Sequence, residues 1–153
     1  MRVFTALYQR SLALDEQVVY WGGAALGLFL RLYVGWQFFK AGMVKIADWS
    51  ATLALFREEY HVPLLAPELA AYLGAAGELV LPLLLFAGLL SRPAALALLL
   101  VNCMAVLSYP QLFSFECPAA INDHFYWGVM LLALAVYGPG RISLDAWLGR
   151  RLC

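Results

Sequence analysis

The feature that most constrains this chain is where its charges are missing. No Asp, Glu, Lys or Arg occurs between Glu16 and Arg31, between Glu78 and Arg92, between Arg92 and Glu116, or between His124 and Arg141. These runs approach the ~20 apolar residues that cross a hydrocarbon core of ~30 Å. Lipid offers no hydrogen bonds to the backbone, so such runs must be helical. The expected fold is all-α: a four-helix transmembrane bundle in one domain over residues 1–153, with spans near 18–42, 68–89, 93–109 and 123–138. Composition agrees, since 64% of the residues are hydrophobic and 13% charged. A soluble domain of this size holds roughly half apolar residues.

Residues 1–17 read as a short amphipathic lead-in. No short apolar core with a small-residue cleavage site follows, so the first run reads as a retained span rather than a signal peptide. Gly23, Gly27 and Gly35 recur along it at helical spacing, and the GxxxG pair Gly23–Gly27 suits close helix approach, within the bundle or between copies. Residues 46–68 form the longest connection. Within it an interfacial helix is expected across 51–60, capped by Ser50, with Trp49, Leu53, Phe56 and Tyr60 on one face and Thr52, Arg57, Glu58 and Glu59 mostly on the others. Pro63 and Pro67 end that helix, and Glu68 complements the dipole of the next. Ser91-Arg92-Pro93 makes a tight turn. Residues 110–123 form a second loop, with Asn122 or Asp123 capping span four. Gly138-Pro139-Gly140 stops that span, and Ser143 caps a short amphipathic C-terminal helix.

Basic residues orient the bundle. Arg2, Arg10, Arg92, Arg141, Arg150 and Arg151 fall on one side, and Lys40, Lys45 and Arg57 on the other. By the positive-inside rule both termini are cytoplasmic. Zero net charge gives no reason to expect nucleic acid. Two His and three Cys without a CxxC pair provide neither a zinc framework nor a disulfide framework.

Ionisable residues at membrane depth are costly and are retained for a reason. At ~1.5 Å per residue, Arg31, Glu78, Asn102 and Tyr126 each fall about 15–16 Å from the inner edge. They are expected to form one functional polar layer, with Arg31, Glu78 and Asn102 meeting in the interior. Pro82 frees the carbonyl of Glu78, which adds an acceptor there. A structural ion pair that fixes helix register is the plainer reading of Arg31 and Glu78. Lys45, His61, Cys117, Asp123 and His124 form an outer cluster. It is open to reading as a soft-metal site, a bis-His haem site or ordinary interfacial residues.

Three segments carry a family resemblance: LRLYVGWQFFKAGMVKI (30–46), AAYLGAAGELVLPLLLFAGLLSRPAALAL (70–98) and WGVMLLALAVYGPGRISLD (127–145). With Arg31, the Gly42-to-Lys45 end of helix one, Glu78 and the Gly138–Asp145 tail in this order, the chain resembles the DoxX family of small four-helix bacterial inner-membrane proteins. The resemblance implies a membrane subunit of a redox or metal/oxidative-stress system that binds quinone or passes electrons to a partner. Segment 48–74 is similar to a subgroup associated with small metal-stress peptides, copper in particular. The family's layout is also similar to that of vitamin K epoxide reductase-type folds, whose paired cysteines this chain lacks. The alternatives are a non-catalytic scaffold, or a small ion, proton or solute transport module built on Arg31 and Glu78. Quinone is the first cofactor expectation, with copper and haem behind it. Besides lipid, the expected partner is another protein or further copies of the chain.

Overall fold

The computed structural model describes residues 2–113 and 119–152. Among these there is no strand, and four helices are long and apolar enough to cross a membrane: Leu7–Ala47, Pro67–Ala87, Ser91–Ser108 and Ala119–Tyr137. The chain is a multi-pass membrane protein with an all-α fold.

The first of these helices is one long rod. α1 (Arg2–Gln17) passes through a π-helical turn at Val18–Gly22 into α2 (Gly23–Ala47). Residues 2–17 are therefore not a separate lead-in, and the bundle begins only at Gly23. The lead-in contains no helix breaker, so the helix has no reason to stop at Gln17. α3 (Trp49–Glu58) follows, then α4 (Pro67–Ala87) and α5 (Ser91–Ser108). A 3₁₀ turn at Pro110–Phe113 precedes α6 (Ala119–Tyr137), and α7 (Leu144–Leu152) forms the tail. α2, α4, α5 and α6 pack as an antiparallel ring in which α2 touches both α4 and α6. Val34, Phe38, Leu85, Leu98, Leu131 and Leu134 fill its interior. Large apolar side chains such as Phe29, Leu83, Leu100 and Leu132 point outward, as a lipid-facing surface requires. The end of the bundle carrying α7 and the α4–α5 turn is called the tail end, and the opposite end the loop end.

Glycines set the closest approaches. A Cβ at Gly27 would lie 3.0 Å from the Pro139 carbonyl oxygen, one at Gly35 would strike Phe86, and one at Gly42 would lie 2.8 Å from Leu79 Cγ. The glycine stripe of α2 is largely used inside the bundle.

Three local details differ from the expectation. Asp48, not Ser50, caps α3: its carboxylate accepts the Ala51 N–H at 2.9 Å and the Ser50 hydroxyl at 2.8 Å. These bonds hold the Asp48 carboxyl below the usual carboxylate range, the Ala51 N–H contributing most. Thr52 turns inward and is buried, because its hydroxyl donates to the Lys45 carbonyl at 2.9 Å. α6 is already running at Ala119, so Asn122 and Asp123 sit inside the helix rather than at its cap. Ser143 does cap α7, its Oγ accepting the Ala146 N–H at 3.1 Å.

Candidate functional site

The expected polar layer separates into distinct groups at different heights. Arg31 and Glu78 do not meet. Arg31 is 1% exposed and lies at the tail end. Its Nε donates to the Gly27 carbonyl at 3.3 Å, Nη1 to the Leu85 carbonyl at 3.2 Å, and Nη2 to the Ile142 carbonyl. Leu85 belongs to the last turn of α4, where the dipole favours a cation, and its carbonyl also accepts the Gly88 N–H at 3.1 Å. Asp145 supplies the opposite charge that acts on the guanidinium. Its two carboxylate oxygens accept the Leu90 and Ser91 N–H groups at 2.8 and 2.9 Å, capping α5, while its own N–H donates to the Gly88 carbonyl at 2.8 Å. Gly88 ends α4 at φ +67°, a conformation glycine adopts without penalty. Arg31, the α4–α5 turn and the tail thus form one staple. The depth count misplaced Arg31 because it started from Tyr20, whereas the packed part of α2 begins at Gly23.

Glu78 pairs instead with Lys45. Their Nζ and Oε2 atoms are 2.6 Å apart, and the side chains are 15% (Lys45) and 9% (Glu78) exposed. Lys45 is fourteen residues beyond Arg31, which returns it to nearly the same face of α2 about 21 Å further along. Gly42, one turn earlier, lets the α2 backbone approach the carbonyl of Glu78: a Cβ there would lie 3.1 Å from that carbonyl carbon. The sequence signal for this pair was present in the spacing of Gly42, Lys45 and Arg31, but Arg31 is the residue that looked deepest.

Asn102 belongs to a third group. Its Nδ2 donates to the His124 carbonyl at 2.9 Å, and His124 Nδ1 donates to its Oδ1 at 2.8 Å. The His124 ring also meets Trp127 edge-on. Tyr126 is 54% exposed and faces away from the interior. The outer cluster does not converge either. His61 is exposed and bonded through Nδ1 to the Glu59 carbonyl, Asp123 is exposed, and Cys117 lies outside the described residues. Among the described residues no three His, Cys, Asp or Glu side chains gather as a metal site would require.

The Lys45–Glu78 pair forms part of the wall of a cleft of about 190 Å³ between α3, the 59–66 loop, α4 and α5. Its walls are apolar and include Phe56, Leu73, Val101 and Met104. Tyr60 stands on the loop side, and burial beside Glu78 pushes its phenol above the ordinary value. Ser108 completes the lining. It is 2% exposed, and its Oγ has no hydrogen-bond partner among the described residues. Its carbonyl accepts the His61 N–H at 2.8 Å, which fastens the loop over the cleft. A buried hydroxyl without a partner costs about 1–3 kcal/mol.

The DoxX family model matches residues 26–111. The chain belongs to the DoxX family. The matched stretch contains Arg31, Gly42, Lys45 and Glu78, whereas the Gly138–Asp145 tail lies beyond it. An uncharacterized protein of Haemophilus influenzae (strain ATCC 51907 / DSM 11121 / KW20 / Rd) is 28% identical over 123 residues, covering 77% of this chain and 80% of that protein. No solved structure matches. Within this DoxX chain the motif residues divide by height. Arg31 and the tail serve the staple, while the Gly42–Lys45 turn and Glu78 serve the cleft.

Proposed function

We propose that this DoxX protein is the membrane subunit of a redox system and holds the head group of a quinone in the Lys45–Glu78 cleft. The carrying observation is the composition of that cleft: apolar walls, one buried ion pair and one buried serine hydroxyl without a partner among the described residues. Its size suits a single ring. A dry cavity of about 150 Å³ accepts benzene, and the cleft is about 190 Å³. Quinone carbonyls are acceptors, and Lys45 and Ser108 are donors. Reducing a quinone to its quinol takes two electrons and two protons. A partner redox protein supplies the electrons in this reading, and Glu78 and Lys45 lie where the protons are needed. The isoprenoid tail leaves between helices into lipid.

The distribution of Lys and Arg supports a bacterial inner-membrane location with both termini cytoplasmic and the cleft on the opposite side. A scaffold reading gives no reason for an apolar cleft built around a buried ion pair. The transport module drawn on Arg31 and Glu78 loses its basis, because those residues are not paired.

The test is binding of a short-chain benzoquinone to the protein in mild detergent, followed by saturable quenching of its tryptophan fluorescence. Ser108→Ala and Glu78→Gln are each expected to weaken binding at least tenfold. The proposal fails if the native protein shows no saturable quenching, or if both variants bind as the native protein does.

A further inference from the structure

A second cavity lies at the tail end, where the start of α2 passes the end of α6. It measures about 490 Å³, within the range of ~300–1,000 Å³ typical of small-molecule pockets. Its walls are Gly23, Leu26, Gly27, Leu30, Leu134 and Tyr137, with Val19 and Tyr20 toward the rim. Gly23 keeps the slot open, since a Cβ there would meet nothing within 4 Å. Leu26 and Tyr137 are exposed on its flanks, so the slot opens toward lipid.

Arg141 lines the slot, and Arg92 lies behind Gly138, which also lines it. The Arg141 guanidinium lies 3.8 Å over the Tyr20 ring. The Arg92 guanidinium borders Gly138, with Nε and Nη2 at 3.3 and 3.4 Å from a Cβ built there. Among the described residues neither arginine has a carboxylate or carbonyl partner. Three cations of the chain do have such partners: Arg31 has its carbonyls, Lys45 has Glu78, and Arg57 has Glu68 at 2.8 Å. Tyr20, Trp21 and Tyr137 are exposed at the same level, where aromatic side chains mark the headgroup region.

An apolar slot that begins at headgroup depth and ends on Arg141, with Arg92 behind Gly138, fits one kind of molecule. We infer that the Gly23–Tyr137 slot binds an anionic phospholipid, one acyl chain lying along α2 and the phosphate held by Arg92 and Arg141. Guanidinium groups bond phosphate oxygens in pairs; phosphatidylethanolamine has the same phosphate but brings an ammonium that repels the two arginines, whereas an anionic headgroup brings none. The site is about a helix length from the quinone cleft and stands independently of that reading.

The test is native mass spectrometry of the protein reconstituted with equal amounts of phosphatidylglycerol and phosphatidylethanolamine. The native protein is expected to retain phosphatidylglycerol preferentially. Each of Arg92→Gln and Arg141→Gln is expected to lower that preference about fivefold, and the double variant about 30-fold. Gly23→Leu, which fills the slot without a clash at its Cβ, is expected to remove the retained lipid of either kind. Arg150→Gln, outside the slot, is expected to change nothing. Equal retention of the two lipids, or the same preference after loss of both arginines, overturns the inference. So does a Gly23→Leu variant that keeps its lipid but loses a dimer seen by cross-linking, which assigns the slot to a second copy of the chain.

Discussion

The Lys45–Glu78 pair offers the sharpest test, because one experiment separates its structural weight from its chemistry. At 2.6 Å and an effective dielectric near 20, the attraction between the two charges is about 6 kcal/mol. Removing two ions from water costs several kcal/mol each, so the intact pair is close to neutral against a well-packed apolar pair. Breaking it is another matter, since one charge is then left in an apolar wall. Lys45→Met leaves a carboxylate that is 9% exposed and is expected to cost about 3–5 kcal/mol. Glu78→Gln is expected to cost less, near 3 kcal/mol or below, because the ammonium sits on a flexible stem in the last turn of α2 and can snorkel toward the loop end. The double variant Lys45→Met/Glu78→Leu is expected to return to within about 1 kcal/mol of the native protein. Unfolding by sodium dodecyl sulfate in mild-detergent micelles, followed by circular dichroism, gives these values. The same double variant is expected to lose quinone binding despite its recovered stability. Single substitutions that each cost under about 1 kcal/mol would refute the claim that the pair is desolvated. A double variant as damaged as the worse single one would refute the claim that the damage is an orphaned charge.

Other outcomes follow from the packing. Gly42→Ala places a Cβ 2.8 Å from Leu79 Cγ and 3.1 Å from the Glu78 carbonyl carbon and is expected to destabilise by about 1–3 kcal/mol. Gly23→Ala meets nothing and is expected to stabilise by about 0.5–1 kcal/mol through helix propensity, so melting temperatures in detergent should move in opposite directions. Gly88→Ala forces a side chain into φ +67° against Arg31 and Ser143, and its melting temperature is expected below that of Gly42→Ala. Asn102→Leu leaves the His124 ring and carbonyl without their partner and is expected to cost about 1–2 kcal/mol; an unchanged melting temperature would show that the pair contributes nothing. Asp48 predicts a pH dependence. Its carboxyl is held below the usual range in the folded protein, so its contribution is complete above the ordinary Asp value of about 4. That contribution is lost as pH falls through the lower folded value. Acidification below about pH 4 should therefore lower the melting temperature of the native protein more than that of Asp48→Asn, whose cap acceptor does not titrate; superimposable acid profiles would refute it.

How the site reads from the chain differs residue by residue. Glu78 was visible as a lone carboxylate in an apolar run, and Lys45 as a charge on the same face as Arg31. Their union was not visible, because pairing depends on how far α2 slides along α4. That slide is set by Gly35 against Phe86 and Gly42 against Leu79, contacts between residues distant in the chain. Ser108 carried no signal at all, since a serine near a helix end is ordinary until its surroundings prove dry.

The charge-free runs by themselves determined that this chain forms membrane-crossing helices, because lipid penalises both a bare charge and an unpaired peptide group wherever they occur. That rule is local and needs no knowledge of neighbours. The same runs left open where α2 enters the bundle, which polar side chain meets which, and which glycines are free. Only the tertiary structure decided those points. It joined Arg31 to the tail through carbonyls of α4 and the Gly138–Asp145 segment, and left Glu78 to Lys45. The physical reason is that a buried charge is satisfied by whichever partner packing brings within hydrogen-bond reach, and equal depth in separate helices does not supply that contact.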